Sequence, residues 1–370
     1  MTFSNSRGLY RVMKRCDILV IGTGYFAEII VNDIASTAVS PVKVVVAGRN
    51  IERMKWLCIS GNARASLYER AVTFEYDGFD MSTAATIAQG LGRWEPRVVV
   101  QSASLQSPWK VDRRDSAWSV LVNDAGFGLT LAFQSMFPMR TAMALKALNS
   151  EAAFVNTCYP DVVNQVLVAR GLRITSGVGN IAIFASVIAG TLQPHERCSI
   201  RLLGHHNHLV QWRRPGVERS GLPVRVWLGD SELADVQARF AHIQLPFRDL
   251  NVISGGSAVP VLLALAGKGD CRSHVPGPTG LPGGYPVRVC RGSVTLDLPN
   301  GLSEDEAITW NRQFETEDGA SVSSDGRVTY SDRARAAVER HDAGIAEGFD
   351  VDELEVAYSR LAALRERLGG

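Results

Sequence analysis

The sequence contains no apolar run near the roughly 20 residues that would span a bilayer. It also has no surplus of charge, with 39 basic residues against 38 acidic and a formal net charge of +1. Without a basic excess there is no electrostatic footprint for nucleic acid or an anionic membrane surface, and neither is expected as a partner. The opening segment MTFSNSRGLYRVMKRCD carries basic residues but no apolar stretch after them, so no signal peptide is read there and a cytoplasmic location is expected. Cysteine is sparse and unpaired in pattern. Cys16, Cys58, Cys158, Cys198, Cys271 and Cys290 include no CxxC, which reads as free thiols in a reducing compartment and supplies no zinc site. With 370 residues, 46% hydrophobic and 21% charged, the composition is that of a globular enzyme of two domains or one large composite fold.

What is present is an alternation. After a leader over 1–15, CDILVIGTGYFAEIIVNDIA reads as a strand, a tight glycine turn and a helix. VKVVVAGRN and PRVVVQSAS repeat the apolar run, which predicts βαβ units and a parallel sheet. A weakly polar, helix-like stretch covers 116–150, broken at Gly126, Gly128 and Pro138, and AAFVNTC adds a strand. The expected fold class is α/β, with a doubly wound dinucleotide-binding domain over 16–165. Over 166–320, CSIRLLG, LPVRVWLG and YPVRVCRGSVTLDLP alternate with helices and Gly/Pro clusters, which predicts an α+β domain with antiparallel strands. Ser303 and Glu306 form a capping box that starts a helix. TEDGASVSSDG reads as a polar linker, and 321–370 as linker plus helical extension. In its last helix Leu354, Ala357, Leu361 and Leu364 or Leu368 share a face, predicted to pack on the nucleotide domain or on a second copy.

Gly22-Thr23-Gly24-Tyr25-Phe26-Ala27 fits GxGxxA at the first strand–helix turn. The first glycine permits the turn, and the second lets backbone approach a pyrophosphate. The small alanine allows close helix packing, while the helix N-terminus offers N–H groups to the anion. Gly22, Gly24, Tyr25, Phe26 and Ala27 are therefore candidate cofactor residues, with Ser102, Ala103 and Asn156 at later strand ends. The second strand ends in Gly48-Arg49-Asn50, where NAD-preferring sites place an acid for the ribose hydroxyl. Arg49 with Asn50 suits a 2′-phosphate instead, so NADP is favoured over NAD. The alternative is that Arg49 is a solvated loop cation.

Residues 156–215, from NTCYPDVVNQVLVARGLRITSGVGN to IAIFASVIAGTLQPHERCSIRLLGHHNHLVQW, resemble the catalytic core of the lactate/malate dehydrogenase family. GSAVPVLLALAGKGD and GLPGGYPVRVCRGSVTLDLPNGLSEDEA resemble its closing elements. The resemblance runs over roughly 16–315 and implies a Rossmann domain followed by a catalytic α+β domain. It carries the pyrophosphate role to Gly22, Gly24 and Ala27, and the catalytic histidine to His206, two residues after Gly204. The family's aspartate partner would fall near Ile183 and its carboxylate-binding arginine near Ser186, so neither is present and a simple 2-hydroxy acid is not the expected substrate. Asn207-His208-Leu209-Val210-Gln211-Trp212 is similar to a metal-binding segment of the family 4 glycosidases, but that family's cysteine would fall at Gly179. The first 110 residues more loosely resemble opine- and saccharopine-type dehydrogenases, which act on imines.

GHHNHLV places His205, His206 and His208 within four positions. If the segment is extended, His206 and His208 share a face and His205 opposes them. Histidine suits proton transfer near neutral pH, which makes His206 and His208 catalytic candidates. Structural histidines and a metal site remain open alternatives, although no metal set is complete. Trp109, Arg113 and Arg114 follow the third strand, where the family carries a substrate loop; the alternative is an exposed helix start. The expectation is a homo-oligomer, a dimer, that works as an NAD(P)-dependent oxidoreductase on a small carbonyl, alcohol, imine or amine. The alternatives are an opine- or saccharopine-like imine reductase, and a non-catalytic dinucleotide-binding sensor or assembly protein.

Overall fold

The computed structural model describes residues 14–106, 116–246 and 249–370. The expected leader lies outside them except for Lys14 and Arg15. The nucleotide half runs β1 (Cys16–Ile21), α1 (Tyr25–Thr37), β2 (Val42–Gly48), α2 (Ile51–Leu67), β3 (Val72–Gly78), α3 (Ala84–Leu91) and β4 (Pro96–Gln101). It continues with α4 (Ala117–Ala125), α5 (Leu131–Ala147), β5 (Ala153–Asn156), α6 (Pro160–Ala169) and β6 (Ser176–Gly177). These six strands form one sheet in the order β3-β2-β1-β4-β5-β6, all parallel. That is the doubly wound Rossmann order, reversing beside β1 so that a crevice opens at the carboxyl ends of β1 and β4. The sheet runs past the expected boundary at 165, because β6 lies at Ser176–Gly177.

Valine and isoleucine fill the central strands because both faces are covered. Leu19, Ile21, Val45 and Val99 face a core shared with α3, α4, α5 and α6. Ile18, Val20, Val44, Val98 and Val100 face the opposite core, with α1 and α2. This alternation is the period of two expected of strands.

The second half contains α7 (Ile181–Thr191), β7 (Ile200–Leu203), α8 (Asn207–Trp212), β8 (Arg225–Leu228), β9 (Ser231–Glu232) and α9 (Leu250–Leu265). It closes with the antiparallel β10 (Cys271–Pro276), β11 (Gly284–Cys290) and β12 (Ser293–Leu296), then α10 (Glu304–Arg312). Strands β7, β8 and β9 are also antiparallel. The capping box is present, with Ser303 Oγ accepting from Glu306 N. Helix α9 lies close against α1: a Cβ at Gly255 would sit 2.5 Å from Ile29.

The segment read as a polar linker is not one. A 3₁₀ turn at Glu315–Asp318, with its first and last residues buried, leads through it into the strand β13 (Ala320–Val322), which pairs with β14 (Arg327–Tyr330) and, through it, β15 (Phe349–Asp350). Its polar composition hid a buried carboxylate, Asp318, and a second, Glu315, lies buried just before it. Helix α11 (Asp332–Glu339) follows, and the last helix, α12 (Leu354–Arg367), buries Leu354, Leu361 and Leu364. It packs on α5: Tyr358 meets Phe133 edge to face at 5.5 Å, and the Arg365 guanidinium lies 4.5 Å over the same ring. Among the described residues no helix is long and apolar enough to cross a membrane.

Candidate functional site

The glycine turn is built for close approach. Gly22 has φ +139°, and a Cβ there would lie 2.9 Å from the Ser102 carbonyl carbon. Gly24 precedes α1 as its N-cap; no side chain caps the helix, and a Cβ at Gly24 would meet nothing within 4 Å. Ala27 is fully buried, as the motif requires, whereas Tyr25 is exposed. At the end of β2, Arg49 is exposed, with its guanidinium 5.7 Å over the Phe137 ring. Asn50 caps α2, its Oδ1 accepting from Arg53 N at 2.9 Å. Arg53 pairs with Glu28 and reaches the Thr23 carbonyl at 3.4 Å, so the turn is braced by a cation the sequence reading did not single out.

A cleft of about 570 Å³ opens at the carboxyl ends of the strands. Phe26, Ser102, Thr157 and Cys158 form its nucleotide side; Asn180, Ile183, His206 and Asp318 line it from the other segments. Asn156 does not reach it. That side chain is fully buried, accepting from Cys158 N at 2.9 Å and donating to Cys158 O and Asn164 Oδ1, so the cofactor role read for it is replaced by bracing of the loop after β5. Ala103 is half-buried behind Gly22. Trp109, Arg113 and Arg114 lie outside the described residues.

The histidine segment is not extended. The strand β7 stops at Leu203, and Gly204 adds one antiparallel bridge to Gly284 so close to Ile181 that a Cβ would come within 2.6 Å. The chain then enters α8, whose Leu209 and Trp212, three residues apart, are buried, Trp212 edge-on to Phe184. The alternation of side chains expected of a strand is therefore lost. His208 turns inward and does not line the cleft, which corrects the catalytic role read for it. Its Nδ1 takes the His205 N–H at 3.0 Å, its Nε2 faces Leu222 O at 3.2 Å, and its ring stacks on Trp310. Burial lowers its pKa to about 4, consistent with a neutral structural pin.

His206 lies at the cleft, with its Nδ1 3.1 Å and 3.2 Å from the two Asp318 oxygens. The side chain of His206 is 25% exposed and that of Asp318 only 4%. Burial alone would lower the His206 pKa, but the charge and hydrogen bond of Asp318, with Asp161 adding, hold it above its ordinary value. Reciprocally, burial would raise Asp318, and His206 overrides it to hold the carboxyl below its usual range. The two directions agree on an ion pair. The histidine's partner thus comes not from position 183, an apolar Ile183 in the cleft wall, but from the segment read as a linker. The seat for that turn is made by glycine: a Cβ at Gly128 would lie 2.5 Å from Ala320 N, and one at Gly126 3.2 Å from Asp318 O. The two breaks in the 116–150 helical stretch were the one local trace of this contact.

Behind the pair lie further buried polar groups. Tyr159 meets His206 edge to face at 5.7 Å, and Asp161 accepts a hydrogen bond from Asn180 Nδ2. Burial raises the pKa of Asp161. Tyr159 (φ +46°) and Asn180 (φ +22°) both line the cleft in backbone conformations that side chains rarely adopt. Such strain collects at sites whose geometry is imposed by the surroundings. Two cations, Arg213 and Arg333, also line the cleft, and Arg333 is held by the carbonyls of Asn123 and Asp124 at the end of α4. The absence of an arginine near Ser186 therefore does not leave the cleft without one. Among the described residues no group of three or more His, Cys, Asp and Glu side chains stands where it could hold a metal ion.

No protein-family model and no curated protein matches the chain. Among solved structures it is similar to the minor L-lactate dehydrogenase of Enterococcus mundtii in a ligand-bound form, at 13% identity over 81% of this chain and 95% of that one, with a TM-score of 0.47. The lactate dehydrogenase of Cryptosporidium parvum, complexed with lactic acid and nicotinamide adenine dinucleotide, matches at 13% identity over 81% and 96%, with a TM-score of 0.44. The malate dehydrogenase of Salinibacter ruber matches at 11% over 94% and 99%, with a TM-score of 0.47. The fold assignment itself rests on the strand order, and the chemistry on the site.

Proposed function

We propose that this chain is an NAD(P)-linked oxidoreductase in which His206, held by Asp318, gives or takes the proton that accompanies reduction or oxidation of a small carbonyl, alcohol, imine or amine. The observation that carries this reading is the His206–Asp318 pair in the wall of a cleft beside the glycine turn. Gly22 and Gly24 fit a pyrophosphate, since a side chain at the first would clash and the second opens on space with uncapped helix N–H groups behind it. When bound, the nicotinamide supplies or accepts a hydride. Arg49 is exposed at the end of β2, where it would meet a 2′-phosphate, and NADP is the cofactor we favour.

Asp318 takes the proton-bearing Nδ1 of His206, which fixes the tautomer and leaves Nε2 for the reacting proton. Its charge keeps the imidazole protonated to higher pH, so the group can donate near neutrality. Phe26 and Ile183 supply apolar wall that strengthens those charge interactions. Arg213 and Arg333 suit an anionic group on the substrate.

The reading is tested by titrating NADPH and NADH against the protein, then screening carbonyl and imine panels for nicotinamide-linked turnover with wild type and His206→Ala. Binding of NADPH, with turnover that His206→Ala lowers by about a hundredfold to ten-thousandfold, is expected. Absence of binding by either nucleotide would sink the proposal. Binding without turnover on any panel would favour a sensor.

A further inference from the structure

We infer that His205 is a positioning residue that shares the Asp318 carboxylate with His206 and thereby sets how strongly His206 holds its proton. The inference rests on the reading of His206 and Asp318 as a working pair. His205 is 1% exposed, and its Nδ1 lies 3.4 Å from Asp318 Oδ2, the oxygen that is also 3.2 Å from His206 Nδ1. One buried carboxylate is thus addressed by two imidazoles from adjacent residues.

That Nδ1 has a rival neighbour, since the Asn207 N–H points at it from 3.4 Å. Carrying a proton, Nδ1 donates to Asp318; without one, it accepts from Asn207. The two roles exclude each other. Both neighbours stand at the same 3.4 Å, and the buried carboxylate is the partner we assign to the proton. Asp318, Asp161 and Glu315 are the carboxyl groups whose charge acts on His205, from the turn before β13 and from α6. His206 and His208 are the other titratable rings of the segment, and His208 is held neutral by burial and engaged with His205 N and Leu222 O. Arg213 acts on His206, and Arg312 on Glu315. A carboxylate that also accepts from His205 has less basicity left for His206. Removing His205 should therefore strengthen the His206–Asp318 bond and raise the pKa of His206, whichever charge His205 carries.

The test is an NMR titration of the histidine rings in the full chain, with no substrate needed. His205→Leu and His205→Phe, which carry no donor for Asp318, should move the His206 pKa upward by ~0.5–1 unit, while Asp318→Asn should move it down. An unchanged or lowered His206 pKa in a folded His205 variant would overturn the inference. Ring nitrogen shifts of the wild type decide independently of any variant: a protonated Nδ1 on His205 is expected, and an unprotonated Nδ1 refutes it. Failure of the oxidoreductase reading would show instead as absent nucleotide binding or as unchanged turnover in His206→Ala, so the two failures are distinguishable.

Discussion

Replacing Asp318 by Asn tests the most consequential contact in the molecule. The substitution keeps volume and removes a charge that is 4% exposed and sits 3.1 Å from His206 Nδ1. In the protein the carboxylate faces two imidazoles. An amide offers one accepting oxygen, so its NH₂ must face a ring that prefers an acceptor. A buried donor left unsatisfied costs about 1–3 kcal/mol, which is the expected loss of stability. The charge-assisted bond to an imidazolium contributes about 1.5–3 kcal/mol, so turnover should fall roughly tenfold to hundredfold beyond any folding loss. The pH dependence has a definite sign. The raised His206 pKa stabilises the fold below its unfolded value near 6.5 and is lost as pH rises through the folded value; the lowered Asp318 pKa stabilises above its unfolded value near 3.9 and is lost as pH falls through the folded one. The pair is therefore most stabilising between about pH 4 and 6.5, and Asp318→Asn should lose most there. Denaturant melts across that range, with nicotinamide-linked turnover at each pH, provide the assay. A variant with wild-type turnover and a uniform stability change across pH would refute the pairing.

Arg49→Ala should remove most of the preference for NADPH over NADH, a roughly tenfold to hundredfold change for a lost contact to phosphate; equal wild-type affinities measured by fluorescence titration would contradict the assignment. Leu361→Ala in α12 should cost about 2–5 kcal/mol in denaturant melts, because Leu361 is 1% exposed in the shared core; a loss near zero would make the last helix an appendage. His274 is buried with its pKa lowered to about 4, so the unfolded chain takes up a proton there before the folded one as pH falls below 6.5. Stability contributed by its neutral form is lost between those values, about 3 kcal/mol in all, and His274→Gln should flatten the stability–pH slope by that amount.

The periodicity of short segments sufficed for much of this architecture. Alternating βα runs, the GxGxxA turn and the Ser303–Glu306 capping box depend on neighbours within a few residues, so their meaning survives without the fold. The glycine turn was legible from that local motif, although the backbone that Gly22 must avoid, at Ser102, is brought there only by the tertiary structure. His206 was legible through its spacing from Gly204. Whether the segment around it is extended could not be read locally, because a short run of mixed residues has no period long enough to separate strand from helix, and burial of Leu209 and Trp212 decided for α8. Nothing local distinguishes Asp318 within TEDGASVSSDG, whose composition is that of an exposed loop. Only the tertiary structure joins it to His206 across 112 positions, using Gly126 and Gly128 as its seat. A buried ion pair is a property of the space it occupies, since desolvation and approach distance set its strength, and neither is written in the order of residues.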